Sequence, residues 1–440
     1  MSTVFRNTLG LAGLVAAAGV NAQAAPEGLN WRLGLGVEHS DNMARRPVAV
    51  SDTVLSPSAA FAYVMGGARG ELEAAGSASY RHYLGNRFDN ELLQQVGLNG
   101  RWVLSPERLS WAFQAVVTDQ PVNPFGVDAP DNRQRTNVLV TGPTLALRPA
   151  TNLRLLGELR FMDTGAERTP EFDGQRVAAA ARLLYQRSPV TALSGEFESI
   201  DADFDRAGIA PDYRRDNAFL RYSRTAARGE WNTDIGYSRV RFDDVVAGFS
   251  RQESRPLARV RVAYALTDIT RLEADLQRGF GDTVDDLLDG APRAADYALP
   301  IGRTGIRDTT LSSDLFEQTG GRLGVSHRSE ATYFRVDGRW RRQEYLRATG
   351  LDQTIRGFVV SANRQVRATF SLGAQAGMEW RRFGTIDRRD RDSRVAVVAN
   401  WQTSRRTGLT FELSHGERAS TEAQQAFDDN RVLVTFNLVR

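Results

Sequence analysis

The stretch FSLGAQAGMEW, residues 370–380, alternates apolar with small or polar side chains along its whole length. A two-residue period is typical of a β-strand, whereas a helix repeats every 3.6 residues. Strands in soluble proteins average roughly 5–6 residues, so this one is unusually long. A tilted strand of about 9–11 residues is what crossing a bilayer requires. The stretch therefore predicts a membrane-crossing strand whose lipid-facing side chains are Phe370, Leu372, Ala374, Ala376, Met378 and Trp380.

The same alternation recurs along the chain, for example in WRLGLGV (31–37), LSWAFQAVV (109–117) and GLTFELSH (408–415). Twenty such segments can be distinguished. Parity is ambiguous near residues 136–147 and 354–366, so eighteen is the alternative count. The pattern predicts an all-β fold, a transmembrane antiparallel up-and-down β-barrel of about twenty strands forming a single domain.

The connections between these segments alternate in length. Every second one is short, such as SPER (105–108) and TDIT (267–270), and the intervening ones are longer and polar. Outer-membrane barrels have tight periplasmic turns and longer outer loops. Nine short and ten long connections join twenty strands and place both termini of the barrel chain in the periplasm.

The first residues have the features of a secretory signal peptide. Arg6 precedes an apolar run over 9–20, and Ala22 and Ala24 form a small-residue A-x-A cleavage site. We therefore expect a signal peptide at 1–24, a barrel over 25–440, and location in the outer membrane of a Gram-negative bacterium. After residue 24 the sequence contains no apolar run of about 18 residues.

Composition excludes several classes of protein. Net charge is +3 in 440 residues, so the chain lacks the strong positive charge of a nucleic-acid-binding protein. Cysteine is absent, which excludes disulfides, thiolate catalysis and cysteine-bound zinc. All 56 positively charged side chains are arginine, whose planar guanidinium pairs with carboxylates through two hydrogen bonds.

Tryptophan placement supports the barrel. An amphipathic indole is enriched where lipid headgroups meet water. All seven tryptophans fall on the outward parity near segment ends, and they predict aromatic belts formed by Trp31, Trp102, Trp111, Trp231, Trp340, Trp380 and Trp401.

The inward parity carries both signs of charge. Opposite charges on neighbouring strands form cross-strand pairs, which either order the wall or create a field that sorts charged solutes. The predicted lumen-lining residues are Asp234, Arg259, Arg261, Glu273, Asp275, Arg335, Asp337, Arg339, Glu379, Arg381 and Arg394.

Two long connections, 119–134 and 281–310, are candidates for a constriction. The first is stiffened by three prolines, and the second is unusually apolar for a loop in water. They either fold into the lumen or stand outside as surface decoration. The candidate constriction residues are Asp119, Asp128, Asp131, Leu287, Leu288, Tyr297 and Leu299.

The sequence gives little support to enzymatic activity. The four histidines fall on outward parity, and Ser40 and Ser414 point away from the adjacent His39 and His415. No cluster has metal-ligand spacing and no phosphate-binding glycine loop is present. We expect no enzyme, no cofactor and no metal. Nothing before the first strand suggests the plug domain of a siderophore-type transporter.

A resemblance to a known family begins near the first strand. Asp41-Asn42, Ser51-Asp52, Ser56-Pro57 and TGPTLALRP (141–149) resemble motifs of β-barrel porins encoded with exopolysaccharide-synthesis and export gene clusters. These motifs cover about a tenth of the chain and are also compatible with ordinary turn chemistry. The resemblance implies a passive conduit associated with polysaccharide export.

The expected function is thus an outer-membrane pore or export conduit. The alternative is a plugged structural barrel whose outer loops bind a partner. Expected partners are outer-membrane lipid and lipopolysaccharide, the barrel-assembly machinery, and components of polysaccharide export, with no nucleic acid. The alternating Phe436 and Leu438 of the last segment would be the assembly signal, although Arg440 replaces the usual terminal aromatic residue.

Overall fold

A computed structural model describes residues 27–205, 211–243, 251–294 and 310–439. The predicted signal peptide, Arg440 and the candidate residues Tyr297 and Leu299 lie outside these ranges. Within them no helix is both long and apolar enough to span a membrane.

Twenty antiparallel strands form one sheet that closes on itself, so the strand count and the fold class predicted from the alternation are confirmed. The first ten strands are β1 (Gly28–Ser40), β2 (Asp52–Gly67), β3 (Gly70–Tyr83), β4 (Glu91–Ser105), β5 (Leu109–Gln120), β6 (Gln134–Ala150), β7 (Leu153–Ala166), β8 (Gly174–Ser188), β9 (Thr191–Phe204) and β10 (Tyr213–Ala226). The second ten are β11 (Gly229–Phe242), β12 (Gln252–Thr267), β13 (Thr270–Gly281), β14 (Phe316–Arg328), β15 (Thr332–Tyr345), β16 (Gln353–Arg367), β17 (Phe370–Phe383), β18 (Arg389–Gln402), β19 (Thr407–Ser420) and β20 (Phe427–Val439).

Among the described residues, helical structure lies in the longer connections. The helix α1 (Thr283–Asp289) follows β13, and 3₁₀ turns occupy Pro170–Phe172, Thr349–Leu351 and Ala423–Gln425. Each strand pairs with its sequence neighbours, which is the up-and-down topology. Short turns join the strands at the end of the barrel that holds Gly28 and Val439, and all the long connections lie at the other end.

The opening stretch shows why these residues form membrane-crossing strands. In β17, Leu372 and Trp380 keep 42% and 43% of their surface exposed, whereas Ser371 and Glu379 keep 8% and 0%. Large exposed apolar side chains occur on all the strands around the barrel, at outward positions. In a soluble protein an apolar surface this extensive would be unstable, so the exterior is suited to lipid.

β1 and β20 close the barrel. Their ladder runs from Arg32 opposite Val439 to Ser40 opposite Arg431, which is nine residue pairs, whereas β1 and β2 pair over thirteen. Side chains reinforce this seam at the long-loop end. The Ser40 hydroxyl donates to Asp429 at 2.6 Å, and Arg431 contacts Glu38 at 3.1 Å.

Candidate functional site

A ladder of ion pairs follows the inner wall from β7 to β12. Arg182 reaches Glu158 at 3.5 Å and Glu196 at 2.9 Å, and Arg221 links Glu196 at 3.2 Å to Asp234. The ladder consists of Glu158, Arg182, Glu196, Arg221, Asp234 and Arg259, one residue from each of six consecutive strands. Of these six, Asp234 and Arg259 were predicted from the sequence to line the lumen. The others also occupy inward parity between outward apolar residues, so the same alternation could have identified them.

The remaining predicted lumen residues lie on β12 to β18. Arg261 pairs with Asp275 at 2.8 Å, and Arg335 contacts both Glu273 at 2.9 Å and Asp337 at 2.6 Å. On β17, Glu379 forms salt bridges with Arg339 of β15 and, at 3.1 Å, with Arg381. Arg394 also lies on the inner face, which it shares with Glu379 and Arg381. Arg394 lies opposite Gly377 and pairs with Glu412 on β19 at 3.4 Å.

Two of these pairs join strands that are not neighbours. Arg339 on β15 meets Glu379 on β17 above Gly357 of the intervening β16, and Arg335 meets Glu273 above Gly324 of β14. A Cβ on Gly324 would lie 3.0 Å from the Arg335 guanidinium. A missing side chain on the middle strand therefore gives two long side chains room to meet. An inward glycine between charged strands is the signal for such pairs.

Accessibility to water divides the inner wall in two. On β7 to β10 the charged side chains are buried, for example Glu196 with 1% and Arg182 with 6% of the side chain exposed. On β12 to β15 they are partly accessible, for example Asp275 with 34% and Arg322 with 61%. Buried ion pairs hold their geometry because losing one partner leaves an uncompensated charge. The accessible pairs can contact solutes.

The long connection between β13 and β14 accounts for this difference. Its described residues, 282–294 and 310–315, are called the lumen segment below. The α1 side chains Val284, Leu287 and Leu288 are at most 5% exposed. They belong to one apolar cluster with inward residues of β5 to β9, namely Val116, Val138, Val140, Met162, Ala178 and Ile200. The structure thus places Leu287 and Leu288 inside the barrel, against the wall.

Charged contacts attach α1 to both sides of the lumen. Asp282 caps the helix by accepting a hydrogen bond from the amide of Asp285 at 2.9 Å. Asp282 pairs with Arg176 of β8 at 3.0 Å, and Asp285 pairs with Arg215 of β10 at 3.1 Å. On the other side Asp286 pairs with Arg341 of β15. The helix is therefore held between two walls that lie several strands apart.

The segment continues beyond α1 toward β3 and β4. The amide of Ala294 donates to Glu73 of β3 at 2.8 Å. Pro292 lies so close to Gly97 of β4 that any side chain at position 97 would collide with it. The segment therefore crosses the lumen from β13 to the wall near β3.

The pKa values of four aspartates in the lumen segment are shifted from their ordinary values. Burial, together with the neighbouring Asp282 carboxylate, raises the pKa of Asp285 to about 6 despite the contact with Arg215. Burial also raises the pKa of Asp286, and it raises the pKa of Asp289 well above its ordinary range. Burial opposes ionisation of Asp282 too, but Arg176 and Arg215 outweigh it and hold that pKa below 3.8.

These shifts predict that acid favours the docked lumen segment. A carboxyl whose pKa is higher when docked binds a proton preferentially in that state, so docking strengthens as the pH falls through about 6 toward the ordinary value of 3.8. Below that range Asp282 begins to protonate and its arginine pairs weaken. Single-channel conductance should therefore fall reversibly between pH 7.5 and 5.

A matched pair of variants checks this expectation. Asp285→Asn resembles the protonated form. At pH 7.5 this variant should already show the low conductance that the wild type shows at pH 5, and its conductance should depend less on pH. Asp387→Asn removes a carboxylate that is 93% exposed and should leave the titration unchanged. Wild-type conductance that stayed constant or rose on acidification would contradict the assignment.

The other candidate connection is shorter than expected. Asp119 and Gln120 belong to β5 and Gln134 to β6, so the loop covers 121–133. Asp119 is therefore not a loop residue. It is 5% exposed, and its carboxylate accepts a hydrogen bond from the amide of Gln94 at 2.6 Å, which continues the strand register.

The 121–133 loop contacts other parts of the barrel mouth. Asp128 pairs with Arg133 at 2.8 Å and approaches Arg45 of the β1–β2 connection at 3.8 Å. Asp131 pairs with Arg46 of the same connection. The Phe125 ring lies 5.4 Å from that of Phe383, at the end of β17. Since β5 and β17 are far apart around the ring, this loop extends across part of the mouth.

All seven tryptophans lie on outward parity. Trp102, Trp111, Trp340, Trp380 and Trp401 are 38–51% exposed, and Trp31 and Trp231 share the parity of the exposed Leu33 and Ile235. Trp102 and Trp111 are directly paired on β4 and β5. Their positions near strand ends are those of the predicted belts.

The histidines and serines considered for catalysis are separated. His39 contacts Thr53 at 2.9 Å, while the hydroxyl of Ser40 points inward to Asp429. His415 contacts Asn430 at 2.9 Å and Asp428 at 3.8 Å. Among the described residues no group of three histidine, aspartate or glutamate side chains is arranged to hold a metal ion.

No protein-family model and no curated protein matches the sequence. Several solved structures, among them receptors and transporters, are similar to the chain at low sequence identity. A ferric enterobactin receptor mutant (PfeA G324V) of Pseudomonas aeruginosa has 7% identity and a TM-score of 0.47, covering 94% of this chain and 80% of its own. The FrpB iron transporter of Neisseria meningitidis has 8% identity and a TM-score of 0.48, covering 95% and 84%. OpdK of P. aeruginosa, solved with vanillate, has 11% identity and a TM-score of 0.39, covering 94% and 99%.

The closed barrel with its apolar exterior is that of an outer-membrane protein of a Gram-negative bacterium. Every strand pairs with a neighbouring strand on both sides, as a lipid environment requires. The long-loop end, by the same architecture, is the extracellular end.

Proposed function

We propose that the protein is a passive channel whose passage is narrowed by the lumen segment and runs along the wall of β12 to β15. The supporting observation is the accessibility of inward charges on that wall, above all Arg322 with 61% of its side chain exposed. A lumen filled by protein would leave such inward side chains buried, as it does on β7 to β10. A twenty-strand barrel is wide enough to hold both a docked segment and water.

The chemistry of this wall suits small, hydrated, charged or hydroxylated solutes. Arg261, Arg322 and Arg335 alternate with Asp275, Glu273 and Asp337, so the passage presents paired rather than isolated charges. Paired charges bind a passing solute weakly enough for it to leave again, which conduction requires. The proposal assigns the protein no catalytic activity and no cofactor.

We further propose that the channel takes part in exopolysaccharide export, which the family resemblance supports. The residues that carry the resemblance also have structural contacts. Asn42 donates to the carbonyls of Arg46 and Asp428, and Asp52 accepts from the amides of Thr53 and Gly85. Because such contacts define turns in any barrel, saccharide transport requires a direct test.

Planar bilayers and liposome swelling provide that test. The purified protein should give stable conductance steps, and proteoliposomes should swell faster in short oligosaccharides than empty liposomes do. Comparing neutral with uronic-acid oligosaccharides of equal length measures charge selectivity. Conductance steps without entry of saccharide into the liposomes would support a channel but contradict the role in saccharide export.

The alternative is a plugged barrel with a structural or partner-binding role. The docking of α1 against both walls favours it, because Asp285 with Arg215 and Asp286 with Arg341 close the lumen from two sides. In this case bilayers would stay silent although the protein is folded, as judged by heat-modifiable migration on gels. Silence of the folded protein would contradict the channel proposal.

A further inference from the structure

A cluster of exposed arginines lies on the outer face of β15 to β18, near the extracellular end. One row contains Arg356 and Arg391 at the level of Trp340 and Trp380, since Trp380 pairs with both arginines across the ladders. The next row toward the loops lies at the level of Thr354, which pairs with Arg342 and Arg382. The outer arginine surface is defined by five exposed side chains, Arg342, Arg356, Arg382, Arg389 and Arg391.

An aromatic groove adjoins the arginines. Arg356 lies directly between Trp340 and Trp380 on the neighbouring strands. Phe358, one outward position closer to the membrane centre, has its ring 6.1 Å from that of Trp380. Gly338 contributes no side chain, and a Cβ there would meet nothing within 4 Å, so a hollow remains between the rings.

The charge of this surface is largely uncompensated. Arg342 pairs with Glu344 at 2.6 Å and Arg389 approaches Asp387 at 3.8 Å. For Arg356, Arg382 and Arg391 the described ranges provide no ion pair. On β10, by contrast, the outward Arg214 pairs with a carboxylate, Asp216, at 3.2 Å.

We propose that the outer arginine surface binds a phosphorylated glycolipid of the outer leaflet, the lipid A part of lipopolysaccharide. Guanidinium groups bind phosphate through paired, charge-assisted hydrogen bonds, and basic clusters at a membrane surface attract anionic headgroups. Indole rings locate at the headgroup level, and the apolar hollow beside Phe358 receives the start of an acyl chain. Net positive charge, aromatic rings and a hollow thus occur together at the height where phosphates meet acyl chains.

Lipid retention measured on the purified full-length protein tests the proposal. Native mass spectrometry would follow binding of diphosphoryl lipid A, dephosphorylated lipid A and phosphatidylglycerol, and thermal unfolding would be followed in parallel. Diphosphoryl lipid A should bind most tightly and raise the unfolding temperature. The double variant Arg356→Gln with Arg391→Gln should bind it roughly thirtyfold more weakly, since each basic residue near an anionic surface contributes about a factor of five.

A matched double variant controls for loss of charge. Arg239→Gln with Arg241→Gln removes two outward, exposed arginines at the same end of β11 and should bind lipid A as the wild type does. Heat-modifiable migration confirms that each variant is folded. Equal weakening in both double variants, or equal binding of dephosphorylated lipid A or phosphatidylglycerol, would overturn the assignment. A dimer that Trp340→Ala disperses would assign the surface to a second copy of the chain instead.

Discussion

Replacing residues 284–309 by two glycines should raise single-channel conductance several-fold and admit bulky antibiotics that the intact barrel excludes. The replacement is short because the hydroxyl of Thr283 donates to the carbonyls of Thr310 and Ser312 at 3.0 and 2.9 Å, so the two ends already meet. It removes the apolar face of α1 from the lumen. It keeps Asp282, so Arg176 and Arg215 retain a carboxylate partner.

The barrel itself should survive this change, because the strand ladders are untouched and connections tolerate changes in length. Some stability is lost, since Val116, Val138 and Met162 of the wall become exposed to lumen water. Shortening the exposed β19–β20 connection at 422–425 to two glycines is the matched control, and its conductance should equal that of the wild type. If the 284–309 replacement folds but conducts like the intact protein, the constriction lies instead at 121–133 or at the wall arginines.

Ala374→Arg should destabilise the barrel by about 2–4 kcal/mol, as Arg does on the lipid face near the bilayer midplane. Ala374 is exposed on the outside of β17, between the outward Phe370 and Trp380 and away from both ends of the strand. A guanidinium there has neither water nor a carboxylate partner. Urea titration of the heat-modifiable fraction, in defined lipid, would measure the loss.

Gln375→Arg is the control, one residue away. Position 375 faces the lumen, where arginine is already common, so the substitution should change the free energy of unfolding far less than Ala374→Arg. Equal tolerance of the two arginines would show that the faces of β17 are assigned wrongly.

The fold could be predicted because membrane crossing imposes a simple rule on every strand. Lipid on one side and water on the other produce the two-residue period, and the stretch around Ala374 obeys it throughout. The ambiguous segments became β6 and β16, each paired along its length with both neighbours. For these two segments the backbone hydrogen bonds to both neighbouring strands define the strand, whereas the alternation of side chains does not.

The inner site could be predicted only in part. Parity placed charges such as Glu379 on the inner face, but which charges meet depends on the stagger between strands and on gaps such as Gly357. Arg394 of β18 illustrates this, because it pairs with Glu412 on β19, whereas Glu379 lies on β17, the neighbour on the other side. The apolar side chains of 281–310 made that connection a candidate for folding into the lumen, but the wall that contacts Leu287 is set by three-dimensional contacts between distant strands.

The ladder between β1 and β20 is a weaker junction of the barrel than the ladder between β1 and β2. β1 and β20 pair through nine residue pairs, whereas β1 and β2 pair through thirteen. The β1–β20 ladder should therefore separate more easily than the β1–β2 ladder. Its strongest reinforcement, from Arg431 to Glu38 and from Ser40 to Asp429, lies at the extracellular end. Under heat or lateral tension, we therefore expect β1 and β20 to separate first at the periplasmic end, where these side-chain contacts are not present among the described residues.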